Sequence, residues 1–237
     1  MSTESLLAVD KLEAAYGTTP ILQGVNLSVG KGEIVGLIGR NGVGKTTTML
    51  CLIGLLPARA GRVLFNGDDV TKMGADDRAR RGMGYIPQGR QVFPEMTVEE
   101  NLMVGELIGG PQGTKLTDRV YEFFPVLKTR RKQVAGTMSG GEQQQLAIGR
   151  ALVGNPSLIL LDEPSEGVQP SIVQMICETL KSIRNELGTT IFFVEQNLDT
   201  IQAIGERLYV MEKGQVVAEI DSEGVRDADT IRRHLMV

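Results

Sequence analysis

"GLIGRNGVGKTTTML", residues 36–50, decides how the rest of the chain is read. Gly39 is followed by four residues and then by Gly44-Lys45-Thr46, and the stretch leaves an apolar run and enters a helix-like one. This is the Walker A spacing in its required strand–loop–helix setting. Glycines let backbone N–H groups turn inward around phosphate oxygens, and the helix N-terminus adds a favourable dipole. The loop residues Gly39, Arg40, Asn41, Gly42, Val43, Gly44, Lys45, Thr46 and Thr47 are therefore expected to hold a nucleoside triphosphate. Lys45 is expected to reach the outer phosphates and the Thr46 hydroxyl to ligate Mg²⁺. A dinucleotide fingerprint fails, because Thr47 stands where its third glycine belongs.

Working outward, "KGEIVGLIG" (31–39) reads as a buried strand, nearly continuous in apolar character from Ile34 to Ile38. "SLILLDEP" (157–164) is a second such strand. Asp162 at its end is placed to hold Mg²⁺ and Glu163 to polarise an attacking water. A third, Ile191 to Val194, runs through Glu195 and Gln196 into a helix start. At such a position beside phosphate a histidine is the usual proton-sensing side chain. Gln196 can donate and accept hydrogen bonds but cannot titrate.

Elsewhere, "SLLAVDKLEAAYG" and "ILQGVNLSVG" alternate like strands, and "GRVLFNGDDV" runs into an Asn66-Gly67 turn. The pattern turns helical from 97 to about 153, opening on a Thr97/Glu100 capping box. "PSIVQMICETLKSIRNELG" is a helix with Pro170 at its start and Gly188 just past its end. Strand 190–194, helix 198–205, strand 207–211 and a Lys213-Gly214 turn follow, and "GGPQG" (109–113) is a flexible loop. Strand–helix alternation with continuous apolar strands predicts an α/β fold: a P-loop NTPase core, its mostly parallel sheet covered by helices on both faces. An N-terminal antiparallel β-subdomain and an inserted α-helical subdomain complete it. The whole chain is one domain, with 1–84 and 154–237 forming the core and β-subdomain and 85–153 the helical subdomain.

Composition excludes several classes. Of 237 residues, 41% are hydrophobic and 23% charged, as in an ordinary globular protein. A net charge of −4, no Trp and 4% aromatics argue against a nucleic-acid partner. Cys51 and Cys177 lie far apart and His234 is the lone histidine, so disulfide and histidine-metal sites have little support. No apolar run approaches the roughly 18 residues of a membrane span, and the N-terminus lacks a signal-peptide layout. A reduced cytoplasmic chain, reaching any membrane through a partner, is expected.

"GTMSGGEQQQLAIGRALV" (136–153) separates the remaining possibilities. Ser139 and Glu142 can form a capping box at a helix start, but a capping box has no need of two glycines, which weaken a helix. Behind a serine they make a second anion-binding surface. A GTPase would carry an Asn-Lys-x-Asp motif, and none occurs.

From Tyr16 to about residue 216 the sequence resembles the ATP-binding cassette family. The resemblance implies that Tyr16 stacks on adenine and that Gln88 contacts Mg²⁺ and water while linking to a transmembrane partner. It implies that Ser139, Gly140, Gly141 and Glu142 form the signature, with Glu142 replacing the commoner Gln. Because one cassette's signature closes over the ATP of another, it also implies a second ATP-binding subunit. Gln169 and Gln196 depart from the usual Asp and His. With "PQGRQVFPEMTVEENL" and "FFVEQNLD" they make the chain similar to one of two ATPase subunits of importers for branched-chain amino acids and related compounds. There the partner is normally an unlike cassette, although a homodimer is possible. "SEGVQPSIV" and "IRRHLMV" look closer to the urea and short-chain amide branch. Catalysis by Glu163, Gln196 and Lys45 with ATP and Mg²⁺ is implied, as are permease subunits, an extracytoplasmic solute-binding protein reached indirectly, and a peripheral place on the cytoplasmic face of the inner membrane.

Overall fold

The computed structural model describes residues 5–109 and 113–236, so the centre of the expected "GGPQG" loop lies outside the described residues. Two sheets are built. The first is antiparallel: β1 (Ser5–Tyr16) lies between β2 (Thr19–Gly30) and β4 (Ala60–Phe65), and β5 (Asp68–Asp69) pairs with β4. Asn66 and Gly67 both adopt positive φ, 51° and 86°, in the turn that the Asn-Gly pair predicts.

The second sheet carries the order β10-β9-β3-β8-β7-β6. Its strands are β3 (Ile34–Ile38), β6 (Met83–Ile86), β7 (Leu158–Asp162), β8 (Thr190–Glu195), β9 (Arg207–Glu212) and β10 (Gln215–Ile220). All pairings are parallel except β9 with β10. β3, β7 and β8 are buried throughout because successive side chains feed two different cores. Ile34, Ile38, Ile159, Leu161, Ile191 and Phe193 face one apolar cluster. Val35, Leu37, Leu158, Leu160, Phe192 and Val194 face the other, shared with β1, β2 and β4.

Helix α1 (Lys45–Ile53) follows β3 directly, and α2 (Ala75–Arg80) precedes β6. The helical subdomain comprises α3 (Val98–Gly109), α4 (Gly113–Phe123), α5 (Pro125–Thr129) and α6 (Gly140–Leu152). Both expected capping boxes form. Thr97 N–H donates to Glu100 at 2.7 Å, and Ser139 N–H donates to Glu142 at 2.9 Å with the reciprocal bond present. Helix α7 (Pro170–Leu187) ends on Gly188 at φ 70°, and α8 (Leu198–Ile204), α9 (Ser222–Arg226) and α10 (Ala228–Met236) complete the chain. Neither β6 nor α2 was singled out by sequence patterning, which entered the helical block directly from about residue 85. Among the described residues no helix is long and apolar enough to cross a membrane.

Candidate active site

The carboxyl ends of β3, β8, β7 and β6 stand side by side, and each releases one piece of the site. Such a row of parallel strand ends is where open α/β sheets bind ligands. From β3 comes the loop 39–44. Gly39 sits at φ 152°, and a Cβ there would lie 2.3 Å from the Met211 carbonyl oxygen, so only glycine fits. Gly44, at φ 113°, delivers Lys45 into the first turn of α1. Lys45 is buried, and its Nζ donates to the carbonyls of Gly39 at 2.8 Å and Arg40 at 3.0 Å. Burial lowers its pKa, opposed by the charges of Glu163, Asp162 and Glu195.

From β7 come Asp162 and Glu163. Thr46 Oγ1 donates to Asp162 Oδ1 at 3.3 Å, and the Tyr85 hydroxyl of β6 donates to Oδ2 at 3.4 Å. Burial pushes the Asp162 carboxyl up to about 6, against the pull of those two hydrogen bonds and of Lys45. Glu163 has φ 45°, a left-handed conformation that costs a non-glycine residue of order 1 kcal/mol and marks functional sites when it persists. Burial raises its carboxyl pKa. Lys45 opposes the rise, and Glu195, Asp162 and Glu166 add to it. A carboxylate moved toward neutrality is suited to accept a proton from water.

From the ends of β6 and β8 come Gln88 and Gln196. Gln88 Nε2 donates to Glu163 Oε2 at 3.2 Å and to Glu166 Oε2 at 2.9 Å. Gln196 Nε2 donates to the same Glu163 oxygen at 3.4 Å. These residues line one cleft with Asn41, Gly42, Gly44, Thr46 and Thr47. Thr46, Asp162 and Gln88 supply oxygen donors alone, the set that a hard cation such as Mg²⁺ takes. Those three residues would hold it, and the ion would neutralise charge on bound phosphates.

Tyr16 and the signature do not line this cleft. Tyr16 lies half exposed at the end of β1. Ser139 and Gly140 start α6 on the helical subdomain, where the Arg90 guanidinium would meet a Cβ on Gly140 at 3.0 Å. Arg90 Nη2 also donates to the carbonyls of Glu166 and Gly167, at 3.0 and 2.8 Å, tying the signature's neighbourhood to the loop after Glu163. Glu166, Arg90 and Glu195 were missed by sequence reasoning. Only Glu195 left a signal, a charge closing an apolar strand.

The family profile described as ABC transporter matches residues 22–166. The chain is 43% identical, over 94% of its length and 98% of the relative's, to the high-affinity branched-chain amino acid transport ATP-binding protein BraG of Pseudomonas aeruginosa. It is 35% identical, over 90% of its length and 89% of the relative's, to the lipopolysaccharide export system ATP-binding protein LptB of Escherichia coli. Among solved structures, the ADP conformation of an ATP-binding cassette of an ABC transporter matches with a TM-score of 0.85 and 32% identity, over 98% of this chain and 95% of that one. A cleft built from a phosphate loop and paired acids, on this fold and with these relatives, makes the chain a member of the ABC transporter family, one of its ATP-hydrolysing, ATP-binding subunits.

Proposed function

We propose that this chain is the ATPase subunit of an importer for branched-chain amino acids or for urea and short-chain amides. It would work peripherally at the cytoplasmic face of the membrane, against separate permease subunits and beside a second cassette. The observation that carries the catalytic part is the convergence of Lys45, Thr46, Glu163, Gln88 and Gln196 on one cleft, with the buried Asp162 hydrogen-bonded to Thr46 behind it. In this reading the loop Gly39–Thr47 and Lys45 hold the phosphates, and Thr46, Asp162 and Gln88 hold Mg²⁺. Glu163 takes the proton of the attacking water. Gln196 fixes the γ-phosphate by a hydrogen bond that carries no charge change. Phosphoryl transfer depends chiefly on positioning and electrostatics, so a non-titrating Gln196 is compatible with turnover.

Three observations support the remainder. Ser139, Gly140, Gly141 and Glu142 lie outside the cleft of their own chain, as expected if they close on the ATP of a partner cassette, and Tyr16 stands exposed at the rim of the β-subdomain where adenine would stack. Near the Gln88 loop, Phe93, Tyr85, Val104 and Ile108 line a groove between the core and the helical subdomain. Phe93 is 42% exposed and Leu107, on the same helix as Ile108, is 84% exposed, an apolar surface that suits a permease helix. The higher identity to an amino-acid transport subunit than to an export subunit favours import.

The test is uptake of labelled leucine and labelled urea by cells lacking the gene, complemented with wild type or Glu163→Gln. Loss of uptake of one solute, restored by wild type alone, is expected. Unchanged uptake of both solutes would overturn the importer reading.

A further inference from the structure

Glu195 closes β8 with 1% of its surface exposed, and no lysine or arginine is ion-paired with it among the described residues. Its two oxygens are divided between two segments. Oε1 accepts from the Ser165 backbone N–H at 3.1 Å and from the Ser165 hydroxyl. Oε2 accepts from the N–H groups of Gln196 at 2.7 Å and Asn197 at 2.8 Å. A buried carboxylate costs several kcal/mol unless every lone pair is used, so a fold that needed only to end a strand would not place one here. Capping of α8 does not require it, because the Asn197 side chain already accepts from Thr200 N–H at 3.0 Å.

What the carboxylate joins is specific. Ser165 lies two residues past Glu163, in the loop that leads to α7, and the other two donors belong to Gln196 and its neighbour. One side chain therefore fixes the separation of the two segments whose tips, Glu163 and Gln196, meet at 3.4 Å. We propose that Glu195 is a positioning residue for hydrolysis, a clamp through which Ser165 and the Gln196 backbone hold Glu163 and Gln196 in register with each other. Glutamine at 195 would turn an N–H₂ toward one pair of donors and release one of the two segments.

This proposal rests on the assignment of Glu163 and Gln196 to the hydrolytic site, and the test separates the two. The full chain, in the assembly that hydrolyses ATP, is compared with Glu195→Gln, Gln196→Ala and the double variant, with Glu163→Gln as control and equilibrium binding of a fluorescent ATP analogue as a second readout. Because misplacement by about 1 Å costs on the order of 100-fold, Glu195→Gln is expected to lower kcat by about 10- to 100-fold, with analogue affinity held within about twofold. The double variant is expected to be no slower than the slower single one, since both losses act through Gln196. Multiplying losses, unchanged kcat or weakened analogue binding in Glu195→Gln would overturn the clamp. Should that variant fail to fold, Ser165→Ala removes a single donor and replaces it in the same cycle, with a kcat loss of about 3- to 10-fold expected and full kcat overturning the proposal. Turnover retained in Glu163→Gln would instead remove the site assignment itself.

Discussion

The Gln196 amide donates to the Glu163 carboxylate at 3.4 Å, joining the ends of two neighbouring parallel strands without any titrating side chain between them. The Gln88 amide reaches the same oxygen at 3.2 Å. Glu163 is thus held between two neutral amides, one from each flanking strand end, while burial raises its carboxyl pKa above the usual carboxylate value.

Replacing Gln196 tests this directly. Gln196→Ala should lower kcat by about 10- to 100-fold while KM for ATP changes little, because a hydrogen bond used at the reacting phosphate is lost. Gln196→His should restore much of that rate and add a limb to the pH profile of kcat near the ordinary histidine pKa of about 6.5. Full wild-type kcat in Gln196→Ala would contradict the reading of Gln196.

Asp162 makes stability depend on pH with a definite sign. Its pKa rises from 3.8 to about 6 on folding, so the folded chain binds the proton more tightly than the unfolded one. The group's contribution is fully present below the unfolded value and is lost as the pH rises through about 6. Asp162→Asn removes the effect. In urea unfolding without nucleotide, the variant should gain of order 2–3 kcal/mol over wild type at pH 7.5 relative to their difference at low pH. An equal difference at both pH values would contradict the desolvation account.

Arg78 anchors the far end of the phosphate-binding helix. It is 2% exposed, and its guanidinium donates to the carbonyls of Cys51 and Leu52 at 2.7 Å, Thr71 at 2.9 Å and Met73 at 3.1 Å. The first two belong to the last turn of α1, where carbonyls lack helical partners and the dipole favours a cation. Arg78→Leu should cost about 3–5 kcal/mol in chemical denaturation, since the carbonyls of Leu52, Thr71 and Met73 lose the guanidinium and that of Cys51 keeps only the Gly54 N–H. Arg78→Lys cannot span all four and should fall between the two. Wild-type stability in Arg78→Leu would show that water replaces the guanidinium freely.

Most of the nucleotide cleft was legible in the sequence because its parts are local. The loop from Gly39 to Thr47 is one continuous turn, and Asp162 with Glu163 closes one apolar strand, so spacing alone locates them. The capping boxes at Thr97 and Ser139 were legible for the same reason. What escaped is non-local. Arg90 matters through carbonyls 76 and 77 residues away, and Glu195 through Ser165, 30 residues away. Strand β6 escaped because "MGYI" is four residues long and one of them is glycine, too short for a period to show. Tyr16 and the signature were named by resemblance, and in the single chain neither lines the cleft.

The central claim is that this cleft hydrolyses ATP through Glu163, with Gln196 in place of a histidine. Its most direct test is ATP turnover by the purified chain over a range of protein concentrations, beside Glu163→Gln. Turnover by wild type is predicted, rising per chain with concentration if the chain pairs with itself and appearing on addition of the second cassette if it does not, together with a Glu163→Gln variant that binds ATP and loses about 1,000-fold or more of the rate. Glu163→Gln turning over at the wild-type rate would contradict the account.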